Sequence, residues 1–450
     1  MGVTARIARF VVESEFDKIP PEALKTARTA VRDCLGVALA GSTEESARIC
    51  ADIARQEAAR EEAAVIGQGF KSSVLQASFV NGTAAHALDF DHSFTLMGQP
   101  TAPIIPAAFS LGESLGISGR RLIEAYVAGF EVTGKLVYSL RDSSEGGWHG
   151  PGTLGVFGAT VACAKLLGLN VSQIEMALGI AASTASAVAA NFGTMTKPLH
   201  VGLAARNGVL AAKLASSGFT ANAQAIETGA GFYEMFYHSS APDTRPLEEL
   251  GRSYALETDG IRIKPYPCGG LTHPTIDATL EMRAEHGITA DTVESIDVDV
   301  TKHTYGRIVF RVPETGLQGK FCMGYLLARA IIDGKVSLDN FTDAAVRERN
   351  ILEFAEKVHM RLDPSLKASN AAGRPCRVTI HLKNGQTYSR EAEHASGSSE
   401  IPMTPEELKA KFSECARRAI DEPSVARALE YLEQLETLED IRPLGRLLMG

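Results

Sequence analysis

A mainly α chain, in which a large all-helical domain carries an inserted, smaller α+β domain, is the fold class that the sequence predicts. Three observations carry that reading. Apolar residues recur at helical spacing from Pro21 to about Phe236, period-two alternation is confined to two stretches between residues 265 and 403, and amphipathic helix returns from Thr404 onward. The expected division is residues 1–264 as the first part of the helical domain, 265–403 as the α+β domain, and 404–450 as a C-terminal helical part packing back on the first. A chain of 450 residues exceeds one ordinary hydrophobic core, so a division is expected on length alone.

The elements follow in order. In "PEALKTARTAVRDCLGVALAG", Leu24, Ala27, Val31, Cys34, Leu35 and Ala38 recur at helical spacing, Pro21 suits a first turn and Gly41 a C-cap. "SLGISGRRLIEAYVAGF", "LLGLNVSQIEMALGIAA" and "SSGFTANAQAIETGAGF" each set a helix-ending glycine (Gly116, Gly168, Gly218) before a polar turn and a new helix. Ser172 with Glu175 makes a capping-box pattern in the second of these. The small residues of "GIAASTASAVAANFG", Gly179 to Gly193, predict a tightly packed central helix. "VESIDVDVTKH" then alternates Ile296, Val298 and Val300 with polar neighbours, and "CRVTIHLKNGQTYSREAE" alternates Val378, Ile380 and Leu382 before an Asn384-Gly385 turn, the pattern of a β-hairpin. "TPEELKAKFSECARRAI" opens with Thr404 as N-cap, Pro405 in the first position and Glu407 at N3.

Composition narrows the function classes. A hydrophobic fraction of 45% with 22% charged residues fits a soluble globular protein. A formal charge of −9 argues against nonspecific nucleic-acid binding, which needs a basic footprint, so no nucleic-acid partner is expected. The seven cysteines are scattered without a CxxC pair, which predicts neither a disulfide framework nor a structural zinc site and suits a reducing cytoplasm. No targeting signal is evident in "MGVTARIARFVVESEFDKIP", and "GTLGVFGATVACAKLLGL", interrupted by Lys165, reads as a packed core helix with no membrane partner. Without HExxH, an EF-hand loop, GxGxxG after a strand or GxxxxGK[ST], no metal and no cofactor is expected, and the chemistry falls to side chains.

Five stretches carry polar groups that helix packing does not require. "HALDFDHSFTLMGQPTAP" holds His86, Asp89, Asp91, His92, Ser93 and Gln99; it is either a hydrated loop or part of a site that moves protons. "EGGWHGPGTLG" sets His149 at a glycine-rich helix start, suited to an anion or to base work, although a loop histidine can also be structural. "GTMTKPLHVGLAARNG" gathers Lys197, His200 and Arg206. If Pro198 opens a helix, Lys197 lies at its positive end, which predicts a ligand carboxylate or phosphate there. "IKPYPCGGLTHPTIDA" places Lys264, Cys268 and His273 in a Gly/Pro-rich turn, where a hinge explains the glycines but not the histidine. "GLQGKFCMGYLLA" sets Lys320 and Tyr325 at the start of an apolar helix, with a packed core tyrosine as the equal alternative.

In this order and spacing, "NGTAAHALDFDHS", "GWHGPGTLGVFGA", "TKPLHVGLAARNG", "YPCGGLTHPTIDA" and "GKFCMGYLLA" resemble the MmgE/PrpD family over nearly the whole chain. The resemblance implies a helical domain made from both chain ends, an α+β lid domain, a homodimer, and a cofactor-free active site in the cleft between domains. It also implies a small di- or tricarboxylate substrate. By motif position its candidates are Asp89, His149, Lys197, His273 and Tyr325 for catalysis, with Ser93 beside them. Gln99, His200, Arg206, Lys264 and Lys320 complete the set as substrate-binding candidates. Lys197 and His273 are expected to hold carboxylates or developing charge, His149 to lead as acid or base, Asp89 to orient a cation or handle a proton, and Tyr325 to donate a hydrogen bond or act as a second acid.

Two positions depart from the family pattern. Gln99-Pro100 stands where decarboxylase and dehydratase relatives carry His-Pro, and Ser93 where the decarboxylase carries threonine. Glutamine cannot shuttle a proton. That departure weakens the decarboxylase most and touches the dehydratase as well. Because dehydratase-like members are the commonest type in the family resembled, the expected activity is a hydro-lyase like 2-methylcitrate dehydratase, with epimerisation of an iminodisuccinate-like acid second, a cis-aconitate-type decarboxylase third, and a non-catalytic carboxylate-binding relative last.

Overall fold

The structure, a computed structural model, describes residues 1–94, 97–140, 147–238, 242–369 and 373–450. It is mainly helical and divides into two compact units, Met1–Ile261 with Thr404–Gly450, and Arg262–Met403.

In the first unit the central helices are apolar all round, as helices buried on every side must be. Val74–Ala87 begins where the Ser73 hydroxyl accepts from the Gln76 N–H, and eleven of its residues are buried. It packs against Thr196–Ser216, which also lies on Gly155–Leu167. What brings the first two together is the absence of side chains at their crossing. A Cβ on Gly82 would lie 2.9 Å from the Gly202 Cα, and a Cβ on Gly202 would collide with the Thr83 hydroxyl and the Phe79 carbonyl. From the chain's other end, Pro405–Ala416 packs on Pro21–Gly41. Thr404 and Glu407 cap it reciprocally, as their spacing predicts. The stretch Gly150–Leu167, apolar and long enough to cross a membrane by composition, is 83% buried within the protein.

Three local expectations are corrected. Helix Val171–Thr184 is capped by Asn170 and Gln173, not by Ser172 and Glu175; an asparagine side chain caps as well as serine, and here it comes earlier in the chain. That helix stops at Thr184 instead of running on to Gly193. The following residues leave in irregular form, with Ala187 at φ +107°. Their carbonyls are needed elsewhere: Ala187 O accepts from the His149 N–H at 2.9 Å, and Ser186 O from the Thr153 hydroxyl at 2.7 Å. A short antiparallel pair, β1 (Ala63–Val65) and β2 (Phe70–Ser72), also interrupts the stretch whose pattern is helical throughout.

The second unit is built on a four-stranded sheet in the order β4-β3-β5-β6, with β3 (Val293–Val300), β4 (Val358–Leu362), β5 (Cys376–Leu382) and β6 (Thr387–Ala392). β3 and β4 are parallel and the other pairs antiparallel. Ile296 and Val298 pair with Ile380 and Val378 in register, and all four are buried. Gly385 turns the β5–β6 hairpin at φ +85°, its N–H bonding Leu382 O at 2.9 Å. Helix His273–His286 packs on β5 and β6, and Met323–Ile332 packs on that helix and on β4.

The crossing at Gly202 is testable. Gly202→Ala forces either a backbone shift or off-rotamer neighbours, so urea unfolding should show a loss of about 1–3 kcal/mol. Gly306→Ala, in the helix Lys302–Arg307 where an added methyl meets open space, should cost nothing and gain up to about 1 kcal/mol.

Candidate functional site

Helix Val74–Ala87 carries His86, the first residue of the first polar stretch, in its last turn, and Asp89 then turns the chain in the left-handed region at φ +53°. Aspartate tolerates that conformation better than most residues. The turn sends three neighbouring side chains to three different partners. Lys197 Nζ donates to Asp89 Oδ1 at 2.8 Å, His86 Nδ1 meets Asp91 Oδ2 at 2.8 Å, and His92 Nδ1 meets Asp33 Oδ2 at 2.7 Å. Asp89, Asp91 and His92 are all buried. The segment is therefore no hydrated loop.

Lys197 lies in the first turn of a helix that starts at Thr196, not at Pro198. The anion its position requires is the protein's own Asp89, which corrects the expectation of a ligand anion as the sole partner. With side chains 15% and 11% exposed, the pair remains open to solvent at its edge.

His92 belongs to a closed network. Its Nε2 bonds Thr101 Oγ1 at 2.7 Å, Thr101 bonds the Tyr126 hydroxyl at 2.8 Å, and Lys411 from the C-terminal part reaches Asp33 Oδ1 at 2.6 Å. Burial alone would raise the Asp33 carboxyl, but Lys411 and His92 together hold it well below its ordinary value.

Beside this lie three imidazoles. His149 is the N-cap of the turn Gly150–Thr153, its ring centroid 5.3 Å from that of His86 and 5.4 Å from that of His200. Its Nδ1 stands 3.3 Å from His200 Nδ1, so one nitrogen donates and the other accepts. Phe192 closes on His149 edge-on at 5.0 Å. Burial drives His149 far below its ordinary pKa; positive charge at His86, Lys197 and His200 adds to this, and Asp89 only partly opposes it. His200 is lowered by burial, His86 and Lys197. At neutral pH both rings are neutral, able to accept a proton but not to store one.

The structure thus brings Asp89, Lys197, His149 and His200 together. Gln99 follows a loop set against the same turn, since a Cβ on Gly150 would lie 2.8 Å from the Met97 carbonyl; Ser93 is half-buried beside His92. Arg206 is nine residues beyond Lys197 on one helix, which puts it about 180° around the axis from it. In the second unit Lys264, His273 and Lys320 are buried. His273 Nε2 lies 3.3 Å from Cys268 O, and Lys320 Nζ donates to Pro267 O at 2.9 Å, so these two share one turn. Tyr325 is fully buried, its hydroxyl donating to Asn340 O and accepting from Arg329 Nε, and burial pushes it up to about 12. That placement matches the packed-core alternative. Among the described residues, no group of three or more His, Cys, Asp or Glu is placed to hold a metal ion.

Sequence reasoning passed over Asp33, Lys411 and the pairing of His86 with Asp91. Asp33 did leave a signal, a carboxylate on the face of Pro21–Gly41 that also carries Ala30 and Val37, both buried. Lys411 left none, because one lysine on an amphipathic helix looks like any other.

Residues 5–245 match the family model of the MmgE/PrpD N-terminal domain and residues 266–437 that of the MmgE/PrpD C-terminal domain. Among curated proteins, the chain is similar to the cis-aconitate decarboxylases of Mus musculus, with 28% identity over 100% of this chain and 94% of the relative, and of Homo sapiens, with 28% over 100% and 95%. The cis-aconitate decarboxylase of Aspergillus terreus (strain NIH 2624 / FGSC A1156) is 28% identical over 99% of this chain and 96% of its own length.

Two measurements probe the electrostatics. Lys411→Met leaves a buried carboxylate without its ammonium partner and should cost roughly 3–5 kcal/mol in urea unfolding. For His149 the folded pKa is depressed, so below pH about 6.5 the unfolded chain takes up a proton that the folded chain does not. Stability then falls with falling pH by up to about 1.4 kcal/mol per unit from this group. His149→Gln should flatten the slope between pH 6.5 and 5; an unchanged slope would mean that the folded protein protonates there.

Proposed function

The chain belongs to the MmgE/PrpD family, and on that premise we propose that it is a lyase that decarboxylates a small unsaturated tricarboxylate of the cis-aconitate kind, using its own side chains. The observation that carries the reading is the partly open Asp89–Lys197 pair set beside neutral, buried imidazoles. Whole-length similarity to cis-aconitate decarboxylases supports the reaction type.

In such a reaction the bond from carbon to one carboxylate breaks and carbon dioxide leaves. The electron pair shifts through the adjacent alkene to a carbon beside a remaining carboxylate, and a proton adds there. Lys197 is placed to hold that carboxylate as charge develops on it, the electrostatic contribution that matters most in such a step. The substrate's negative charge also acts on the histidines. By the coulombic effect through which Lys197 pushes His149 and His200 down, a bound trianion pulls them up and lets the cluster take on the proton that the carbon needs.

Dehydration of a hydroxy-tricarboxylate of the 2-methylcitrate kind is the second reading, favoured by His149, a neutral imidazole able to accept a proton from carbon.

Incubation with cis-aconitate and 2-methylcitrate in D₂O, followed by proton NMR and carbon dioxide detection, separates the two. The expected result is carbon dioxide release with one carbon-bound deuterium in an unsaturated dicarboxylate, and a fall in kcat/KM of about 10²-fold or more in Lys197→Met. Water loss from 2-methylcitrate without carbon dioxide would establish the second reading instead. Wild-type protein inert toward both would sink both.

A further inference from the structure

His86 and His92 lie on the two sides of Asp89 and share one chemical arrangement, a carboxylate on Nδ1: Asp91 at 2.8 Å for His86 and Asp33 at 2.7 Å for His92. They differ at the other nitrogen. His92 Nε2 is closed by Thr101 at 2.7 Å. His86 Nε2 is buried and, among the described residues, has no hydrogen-bond partner, in a side chain only 1% exposed. A buried nitrogen left unmet is destabilising, which makes His92 a satisfied structural histidine and leaves His86 as the one that expects something to arrive. What lies next to it is His149, 5.3 Å away between ring centroids.

The carboxylate decides which imidazole can keep a proton. Asp91 accepts the Nδ1–H of His86, which fixes the tautomer with its lone pair on Nε2 and stabilises the ring once that atom is protonated. The Nδ1 atoms of His149 and His200 face each other instead, and the carboxylate closest to this pair, Asp89, is already bound to Lys197.

We propose that His86, held by Asp91, is the catalytic residue that carries the proton exchanged with the substrate's carbon, at Nε2, while His149 serves beside it as a neutral hydrogen-bonding partner. The inference rests on the lyase reading above and narrows it from a cluster to one atom. In decarboxylation the Nε2 proton goes to the carbanionic carbon. The electron pair released by the broken carbon–carboxylate bond becomes, through the alkene, the new carbon–hydrogen bond. His86 is left neutral, its Nδ1–H still on Asp91, and a proton from solvent recharges Nε2. Asp91 is a positioning residue in this scheme.

His86→Asn tests it, because asparagine still offers an N–H to Asp91 but has nothing in place of Nε2. Full-length protein carrying it should turn over cis-aconitate about 10³-fold more slowly in kcat, with KM within about threefold. Asp91→Asn, which keeps an acceptor but loses the charge, should lower kcat by about 10-fold to 100-fold with KM again little changed. His86→Asn retaining more than a third of the wild-type kcat would overturn the assignment and leave the lyase reading standing; wild-type protein that turns over no tricarboxylate defeats the lyase reading itself. Should His86→Asn not fold, nitrogen-15 NMR of histidine-labelled wild-type protein decides. A proton on Nδ1, with Nε2 either bare or protonated as well, supports the assignment, and a neutral ring with its only proton on Nε2 overturns it.

Discussion

The close contact of Gly82 with Gly202 is the constraint on which the candidate site depends. Helix Val74–Ala87 carries His86 in its last turn and delivers Asp89 just beyond it, and helix Thr196–Ser216 carries Lys197 and His200 in its first turns. Gly82 is four residues before His86, and Gly202 is five after Lys197, so the site lies roughly 6–8 Å along each helix from the crossing. Any separation at the crossing is passed to the ends. An added methyl would push the backbones apart by an appreciable fraction of the 2.8 Å between Lys197 Nζ and Asp89 Oδ1, enough to replace a buried ion pair with two poorly solvated charges. Small residues here do more than fill space; they set the distance at which a lysine and a carboxylate from different helices meet.

The second constraint is the excess of positive and neutral nitrogen around His149. Three imidazoles and an ammonium gather around two carboxylates that are already engaged, Asp89 by the ammonium and Asp91 by His86. Left to itself, such a cluster keeps His149 and His200 neutral, because a charge on either is both desolvated and repelled by its neighbours. An anion relieves both penalties at once. In the proposed function the cluster would thus favour a ligand of several negative charges, and its protonation would follow the ligand's presence.

Much of the fold is legible because local patterns decide it. Alternation of Ile296 with Val298 and of Val378 with Ile380 makes sense only as paired strands with one buried face, and Thr404 with Glu407 closes a cap within four residues. What is not legible depends on partners far along the chain. Asn170 wins over Ser172, and the helix stops at Thr184, because the carbonyls of Ser186 and Ala187 serve residues near His149. The candidate site divides in the same way. The polar stretches announce Asp89, His149, Lys197 and His200 by residue type, but the division of Asp89, Asp91 and His92 among three partners follows from a left-handed turn and from Asp33, which no spacing rule connects to them.

Gln99 bears on this division of labour. An imidazole in that loop would add a fourth group able to hold a proton; an amide offers a donor and an acceptor at every pH but never a charge. Its loop is set against the turn of His149 by the contact between Met97 and Gly150, so the difference falls beside the cluster and not at a remote surface. With an amide there, the proton of the proposed reaction falls to other groups, and of the three clustered imidazoles His86 alone, among the described residues, has a carboxylate on its ring. In the proposed reaction the amide at position 99 therefore raises the demand on the Asp91–His86 pair, because the buried aspartate is what would hold an imidazole ready to carry a proton to carbon.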